Sequence, residues 1–345
     1  DHSTADRRNA ALGRPRTDGE PSAVRVRIIP VLTRSVPSGA AIRWKDMSVA
    51  MTTADPLPSH TAAADVDEPL IELRGFSFRA GDAVILDSID LTVRRGEYLA
   101  VIGSNGAGKS TLIKCICRIN ERGASGMARL AGVDLREHTR RSLARHISYV
   151  PQSTGRRLPF RVREFVEMAR YARRGAWDAL TAMDCAAVSD ALETAELAPF
   201  ADREMDTLSG GEATRAHIAA ALAQDADAIL LDEPTASLDP KHIDDAIELL
   251  SRINRTTGKT IIHVSHDVNL AATVADRIIA LKAGRIVYNG PAAAILDNDA
   301  LEPIYGKRFG FATHPQTVAR VIVPNGAPAR TLPPSAAPAS LSPQA

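Results

Sequence analysis

Two runs of residues in this chain have the types and spacing that chemistry on phosphate requires. The first is Gly103-Ser104-Asn105-Gly106-Ala107-Gly108-Lys109-Ser110-Thr111. Its glycines let backbone amides curl around phosphate oxygens, and a helix start adds partial positive charge. Lys109 is placed to reach the β and γ phosphates of a nucleotide, and Ser110 supplies a hydroxyl for Mg²⁺. The second run, Ile229-Leu230-Leu231-Asp232-Glu233, sets two carboxylates at the end of an apolar stretch. Asp232 is expected to hold Mg²⁺ through water, and Glu233 to orient and deprotonate an attacking water.

Chemistry of this kind needs a scaffold that holds both runs together. Tyr98-Leu99-Ala100-Val101-Ile102 is continuously apolar and bounded by glycines, as expected of a strand buried on both faces, and a helix should follow it directly. Residues 228–231 and 260–264 read the same way and alternate with helical patterns, whereas residues 69–78, 83–86 and 89–93 are strand candidates ahead of them. Residues 150–208 carry helical patterns and few strand signals, which predicts a helical insert. The sum is an α/β fold with a parallel sheet, in which ligands collect beyond the strand ends. No internal repeat points to a second such unit.

Bulk properties narrow the class further. The 345 residues are 45% hydrophobic, enough to bury a sizeable core, and carry a formal charge of +1, so nothing in the balance points to nucleic acid. No stretch of about 18 apolar residues is present, so a membrane role requires a partner chain. Cys115, Cys117 and Cys185 lack metal-ligand spacing and are assigned no chemistry. Residues 1–67, rich in Arg, Pro, Ser, Ala and Thr, are expected to be mostly disordered. Within them Met51 opens a run that looks like a natural start, so the first 50 residues are read as leader. Residues 312–345 alternate Pro, Ala and Ser and are expected to form a loose tail, leaving residues 68–311 as the folded domain.

A third run, Leu208-Ser209-Gly210-Gly211-Glu212, resembles the signature of ATP-binding cassette (ABC) proteins, and the family's other elements follow in order. Gln152 in Tyr149-Val150-Pro151-Gln152 looks like the Q-loop glutamine. Ser237-Leu238-Asp239-Pro240 resembles the D-loop, and His266 in Val264-Ser265-His266-Asp267 resembles the switch histidine. Nearby His263 falls inside an apolar strand run and is read as structural. One departure is the pair Ala213 and Thr214, where common members carry polar glutamines; Arg215 keeps the usual basic position.

The resemblance implies a P-loop NTPase core with a parallel sheet, an N-terminal antiparallel β subdomain and a helical subdomain at about residues 150–208. It implies ATP and Mg²⁺ as cofactors, with Glu233, His266, Gln152 and Lys109 as catalytic groups. Nucleotide would be held by residues 103–111 of one chain and by Ser209, Gly210, Gly211 and Asp239, because members work as head-to-tail pairs. The metal would be held by Ser110, Gln152 and Asp232. An aromatic ring upstream of the phosphate loop normally stacks on adenine in this family; Phe78 is the expected residue, with Phe76 as the alternative.

Lys109 and Ser209 are 100 residues apart, with neither the coiled-coil nor the zinc insert of soluble members between them. The resemblance therefore implies a separate import subunit, peripheral on the cytoplasmic face of the membrane. Its partners would be a second cassette, integral permease subunits and, indirectly, a substrate-binding protein, with no nucleic acid. The runs 142–152 and 159–164, His266-Asp267-Val268-Asn269-Leu270-Ala271 and Ile304-Tyr305-Gly306 look like importers of iron-siderophores, haem and cobalamin. Zinc and manganese importers share part of this pattern, and a soluble ABC protein of translation or DNA repair is the remaining alternative.

Overall fold

The structure, a computed structural model, describes residues 68–152, 158–174, 178–236, 238–314 and 319–323. The expectations for residues 1–67 lie outside them. From its start the described chain alternates buried and open positions along β1 (Pro69–Ala80) and returns antiparallel as β2 (Ala83–Arg94). The two short strands expected at 83–86 and 89–93 are one strand with a kink at Ser88, whose backbone takes φ +50° where Leu86 faces Phe78 and Ile89 faces Phe76.

β3 (Tyr98–Gly103) is buried at every residue, as an apolar run without polar alternation requires, and leads through the glycine-rich loop into α1 (Lys109–Ile116). The chain then rejoins the first sheet as β4 (Ala124–Leu130) and β5 (Val133–Asp134), giving the order β2-β1-β4-β5. Gly126 permits the β1–β4 approach, since a Cβ there would lie 2.4 Å from the Gly75 carbonyl oxygen. Burial pushes the Cys115 and Cys117 thiols up to about 12, which leaves them protonated packing groups.

α2 (Arg140–His146) precedes β6 (Ile147–Val150), and the helical insert follows as α3 (Val162–Met168) and α4 (Ala182–Thr194). Thr181 and Asp184 form a capping box at the start of α4. The Thr181 hydroxyl, then Arg170, hold the Asp184 carboxyl down to about 2, and Arg170 Nε reaches Asp184 Oδ1 at 2.8 Å inside the protein. Val162, Val166, Val188 and Leu192 pack this insert on Ile218 and Ala219 of α5 (Gly210–Gln224). The insert thus shares one apolar cluster with α5, α6 and the face of the parallel sheet that carries Ile229, Leu231 and Ile261.

The remaining elements complete the second sheet. They are β7 (Ala228–Asp232), α6 (Pro240–Thr257), β8 (Thr260–Val264), α7 (Val268–Val274), β9 (Arg277–Lys282) and β10 (Arg285–Pro291). Its strand order is β10-β9-β3-β8-β7-β6, parallel from β9 to β6 with β10 antiparallel at the edge. The register sets Ala100 beside His263, His263 beside Leu231, and Leu231 beside Val150. The carboxyl ends of β3, β8, β7 and β6 are therefore level and adjacent.

α8 (Asn298–Tyr305) packs against the far edge, and β11 (Gly310–Thr313) pairs with β12 (Arg320–Val323). This hairpin lies partly beyond residue 311, at Gly310–Thr313 and Arg320–Val323. Its physical anchor is Asn269 of α7, whose amide both donates to the Ile322 carbonyl at 3.1 Å and accepts from the Ile322 amide at 2.8 Å. No helix among the described residues is long and apolar enough to cross a membrane.

Candidate nucleotide site

Four of the parallel strands, β3, β7, β6 and β8, end at or within two residues of a residue that sequence reasoning singled out. β3 ends at Gly103, where a Cβ would sit 2.2 Å from the Leu281 carbonyl oxygen and φ is +141°, so no other residue fits. Gly108, at φ +103°, turns the chain into α1 and leaves that helix start facing the loop. Lys109 is 5% exposed and donates to the carbonyls of Gly103 at 3.0 Å and Ser104 at 3.1 Å. Burial pulls its ammonium below the ordinary value, opposed by the charges of Glu233 and Asp232. A nearby polyanion would relieve that desolvation.

β7 delivers Asp232, 2% exposed, whose Oδ1 accepts from the Ser110 hydroxyl at 2.6 Å and whose Oδ2 accepts from the Tyr149 hydroxyl at 3.3 Å. The buried carboxylate drives the Tyr149 phenol upward, behind desolvation in size, so Tyr149 stays a neutral donor. The next residue, Glu233, holds a left-handed backbone with φ +52°, a strained state that for a glutamate needs support from its surroundings. That support is visible. Gln152, just past β6, donates to Glu233 Oε2 at 3.1 Å, and His266, two residues past β8, meets Glu233 Oε1 through Nε2.

These groups surround one cavity of about 480 Å³, lined by Ile85, the phosphate loop from Asn105 to Thr111, Glu233 and His266. Four strand ends thus bring Lys109, Ser110, Asp232, Glu233, Gln152 and His266 together. The signature lies elsewhere. Ser209 caps α5 in a reciprocal box, with its amide donating to Glu212 Oε2 at 2.7 Å and its hydroxyl accepting from the Glu212 amide at 3.3 Å. Those bonds, the backbone one first, hold the Glu212 carboxyl below its usual range. Ser209 and Gly210 face solvent, while Gly211 lies against His242. Asp239 caps α6 and engages the His242 ring at 2.7 Å, and Ser237 lies outside the described residues. None of Ser209, Gly210, Gly211 or Asp239 lines the cavity.

Phe78 lies in the core and away from the cavity. It is 7% exposed, and Phe76 is 4% exposed; both rings are enclosed among Leu86, Ile89 and the apolar face of α1. Phe76 instead borders a separate cavity with Cys115 and Arg118. Neither ring lines the cavity at the strand ends, where the apolar wall is Ile85, a residue the sequence presents as an ordinary strand position. Two further contacts escaped sequence reasoning. Tyr149 was visible only as a neighbour of Gln152, and Thr214, marked as a departure from the family pattern, is buried with its hydroxyl on the Pro234 carbonyl at 3.4 Å.

Strand-loop-helix geometry and a basic cavity beyond parallel strand ends define an α/β phosphate-loop nucleotide-binding protein. The family model described as ABC transporter matches residues 86–236. A hemin import ATP-binding protein of Streptomyces coelicolor is 37% identical over 79% of this chain and 95% of its own length. The ferric enterobactin transport ATP-binding protein of Escherichia coli K12 is 35% identical over 78% of this chain and 98% of its own. A dimeric bacterial ABC transporter cassette superposes with TM-score 0.56 at 28% identity, over 64% of this chain and 98% of that one. The chain belongs to the ATP-binding proteins of ABC transporters, and it is an ATPase of that family. A metal-chelate type ABC transporter in an inward-facing conformation, 24% identical with TM-score 0.65, shares the fold over 74% of this chain and 97% of that one.

Proposed function

We propose that this chain binds ATP with Mg²⁺ and powers a membrane importer of an iron-siderophore or haem, acting as a peripheral subunit on the cytoplasmic face. The carrying observation is the division of the site. Lys109, Ser110, Glu233 and His266 converge on one cavity while Ser209 and Gly210 stand exposed outside it. A second cassette, presenting its own Ser209, Gly210, Gly211 and Asp239, would close the cavity, in keeping with the dimeric cassettes of the same fold. The cargo class rests on the likeness to the hemin import protein of Streptomyces coelicolor and the ferric enterobactin transport protein of Escherichia coli. The permease and its binding protein are the partners such a subunit requires.

The residues present fit a hard divalent cation, since Ser110 and Asp232 already meet at 2.6 Å as a hydroxyl-carboxylate pair. Two such donors are too few for octahedral coordination, so Gln152, phosphate oxygens and water would complete it. Mg²⁺ held there would neutralise charge on the β and γ phosphates. Within the chain, loop amides and Lys109 hold the phosphates, and Glu233 takes a proton from the attacking water. His266 reaches the γ-phosphate end, and Gln152 keeps Glu233 aimed.

Paired variants test these roles. Glu233→Gln keeps shape and loses the base, so hydrolysis should fall roughly 10²–10⁴-fold while ATP binding persists. A nucleotide-dependent dimer should then accumulate on size exclusion with ATP and Mg²⁺. Lys109→Ala should bind ATP poorly and stay monomeric. A Glu233→Gln protein that turns over at the parental rate removes Glu233 from the reaction.

A further inference from the structure

We infer that Asn269 is a positioning residue for His266, through a clamp that the β11–β12 hairpin closes on the first turn of α7. This rests on the reading of His266 given above. The His266 ring is exposed, so packing does not fix its direction, and its aim at Glu233 depends on the backbone that carries it. On the β8 side that backbone is held by the Ser265 amide, which donates to the Val101 carbonyl at 3.0 Å. On the other side it runs through Asp267 into α7, and a helix of seven residues has too little stability of its own to set its direction. Asn269, three residues after His266, supplies the tie. Its side chain donates to the Ile322 carbonyl at 3.1 Å and accepts from the Ile322 amide at 2.8 Å. Two opposed bonds of this kind are what one strand residue exchanges with another across an antiparallel pair, so the side chain cannot pivot as it could on one.

A clamp can hold a helix only if it is itself held, and the hairpin is anchored independently of α7. Arg320 of β12 donates to Asp297, the cap of α8, at 3.1 Å and lies over the Phe311 ring at 3.8 Å. Asn298 of α8 repeats the two-bond device just ahead of β11, donating to the Phe309 carbonyl at 3.2 Å and accepting from the Phe309 amide at 2.7 Å. Tyr305, the last residue of α8, stands edge-on to Phe309 at 5.6 Å. Burial drives its phenol up to about 12, against the opposing pull of the Gly103 backbone amide at the head of the phosphate loop. The hairpin is thus referenced to that loop through α8. One cavity of about 460 Å³ has His266, Asn269, Tyr305, Phe309 and Ile322 on its walls, so the ring and the clamp share one small space.

Steady-state ATPase assays of the full chain, joined to NMR of the ¹⁵N-histidine-labelled protein, test this. Asn269→Ala should lower kcat about three- to thirtyfold, as a small misplacement of a reacting group does, and leave KM for ATP within about twofold, because the phosphate loop is untouched. Ile322→Pro removes the amide that Asn269 accepts from while leaving every α7 side chain in place, and it should lower kcat alike. The double variant should lose no more than the worse single one, since both cut the same clamp. In either single variant the His266 ring nitrogens should shift while those of His263, inside β8, stay at their parental positions. Parental kcat in both single variants overturns the inference. So do unmoved His266 signals, or a fall in kcat matched by a loss of nucleotide affinity and a shift of His263, which would mark general loosening of the fold. His266→Ala separates the two readings: if it keeps the parental kcat, the role of His266 fails and the clamp with it, whereas a slow His266→Ala beside a parental Asn269→Ala removes the clamp alone.

Discussion

Phe78 and Glu233 mark the two extremes of what a single residue's position discloses. Phe78, 7% exposed among Leu86 and Ile89, is a packing residue, so Phe78→Ala should cost about 3–5 kcal/mol of stability. Urea unfolding checks that loss. Nucleotide Kd, measured on the folded fraction, should stay within about twofold of the parent, the range expected where no contact is lost. Glu233 was legible because paired acids at the end of an apolar strand have few structural uses, and Lys109 because its glycine context leaves little else for it to do. Phe78 was not, since period-2 alternation tells which face of a strand is covered but not whether core or ligand covers it. Ile85 was invisible for the converse reason: an isoleucine in a strand reads as core wherever it points. The left-handed φ of Glu233 was equally unreadable, because nothing in the residue type announces it.

Among elements, the start of α5 is built against the start of α6. A Cβ at Gly211 would lie 2.4 Å from His242 Cδ2, and that ring is in turn held by Asp239. Gly211→Ala should therefore push the ring off Asp239 and cost about 1 kcal/mol, the low end for overpacking because the His242 side chain is one-third exposed and can swing away. The Gly211→Ala, His242→Gly double variant should recover most of the overpacking loss, and chemical unfolding of the four proteins of the cycle measures it. Strands with long apolar runs, β3, β7 and β8, were legible from the sequence; four-residue β6 and the β11–β12 hairpin were not, since four residues carry too little pattern and the hairpin depends on Asn269, some fifty positions away. Ser88 hid the continuity of β2 for a similar reason. A polar residue at a kink interrupts alternation without ending the strand.

At the scale of the whole molecule, fully buried His263 lies on β8 between Ala100 of one apolar cluster and Leu231 of another. Its ring stands edge-on to Tyr98 at 6.4 Å, and burial pulls its pKa from 6.5 to about 4. Unfolded chains accept a proton on this ring below pH 6.5 while folded ones decline it until about pH 4. Stability from the neutral ring is thus complete above 6.5 and is lost as pH falls toward 4, by about 3 kcal/mol at full extent. Thermal melts across that window should show the parent falling faster than His263→Leu; parallel curves would exclude this ring as the source. The nucleotide site differs from such a pH-sensitive core, because its polar groups bond to one another: Lys109 to its own loop, Ser110 to Asp232, Glu233 to Gln152 and His266. Loading fuel is then an exchange of partners, with affinity set by the difference between two bonded arrangements.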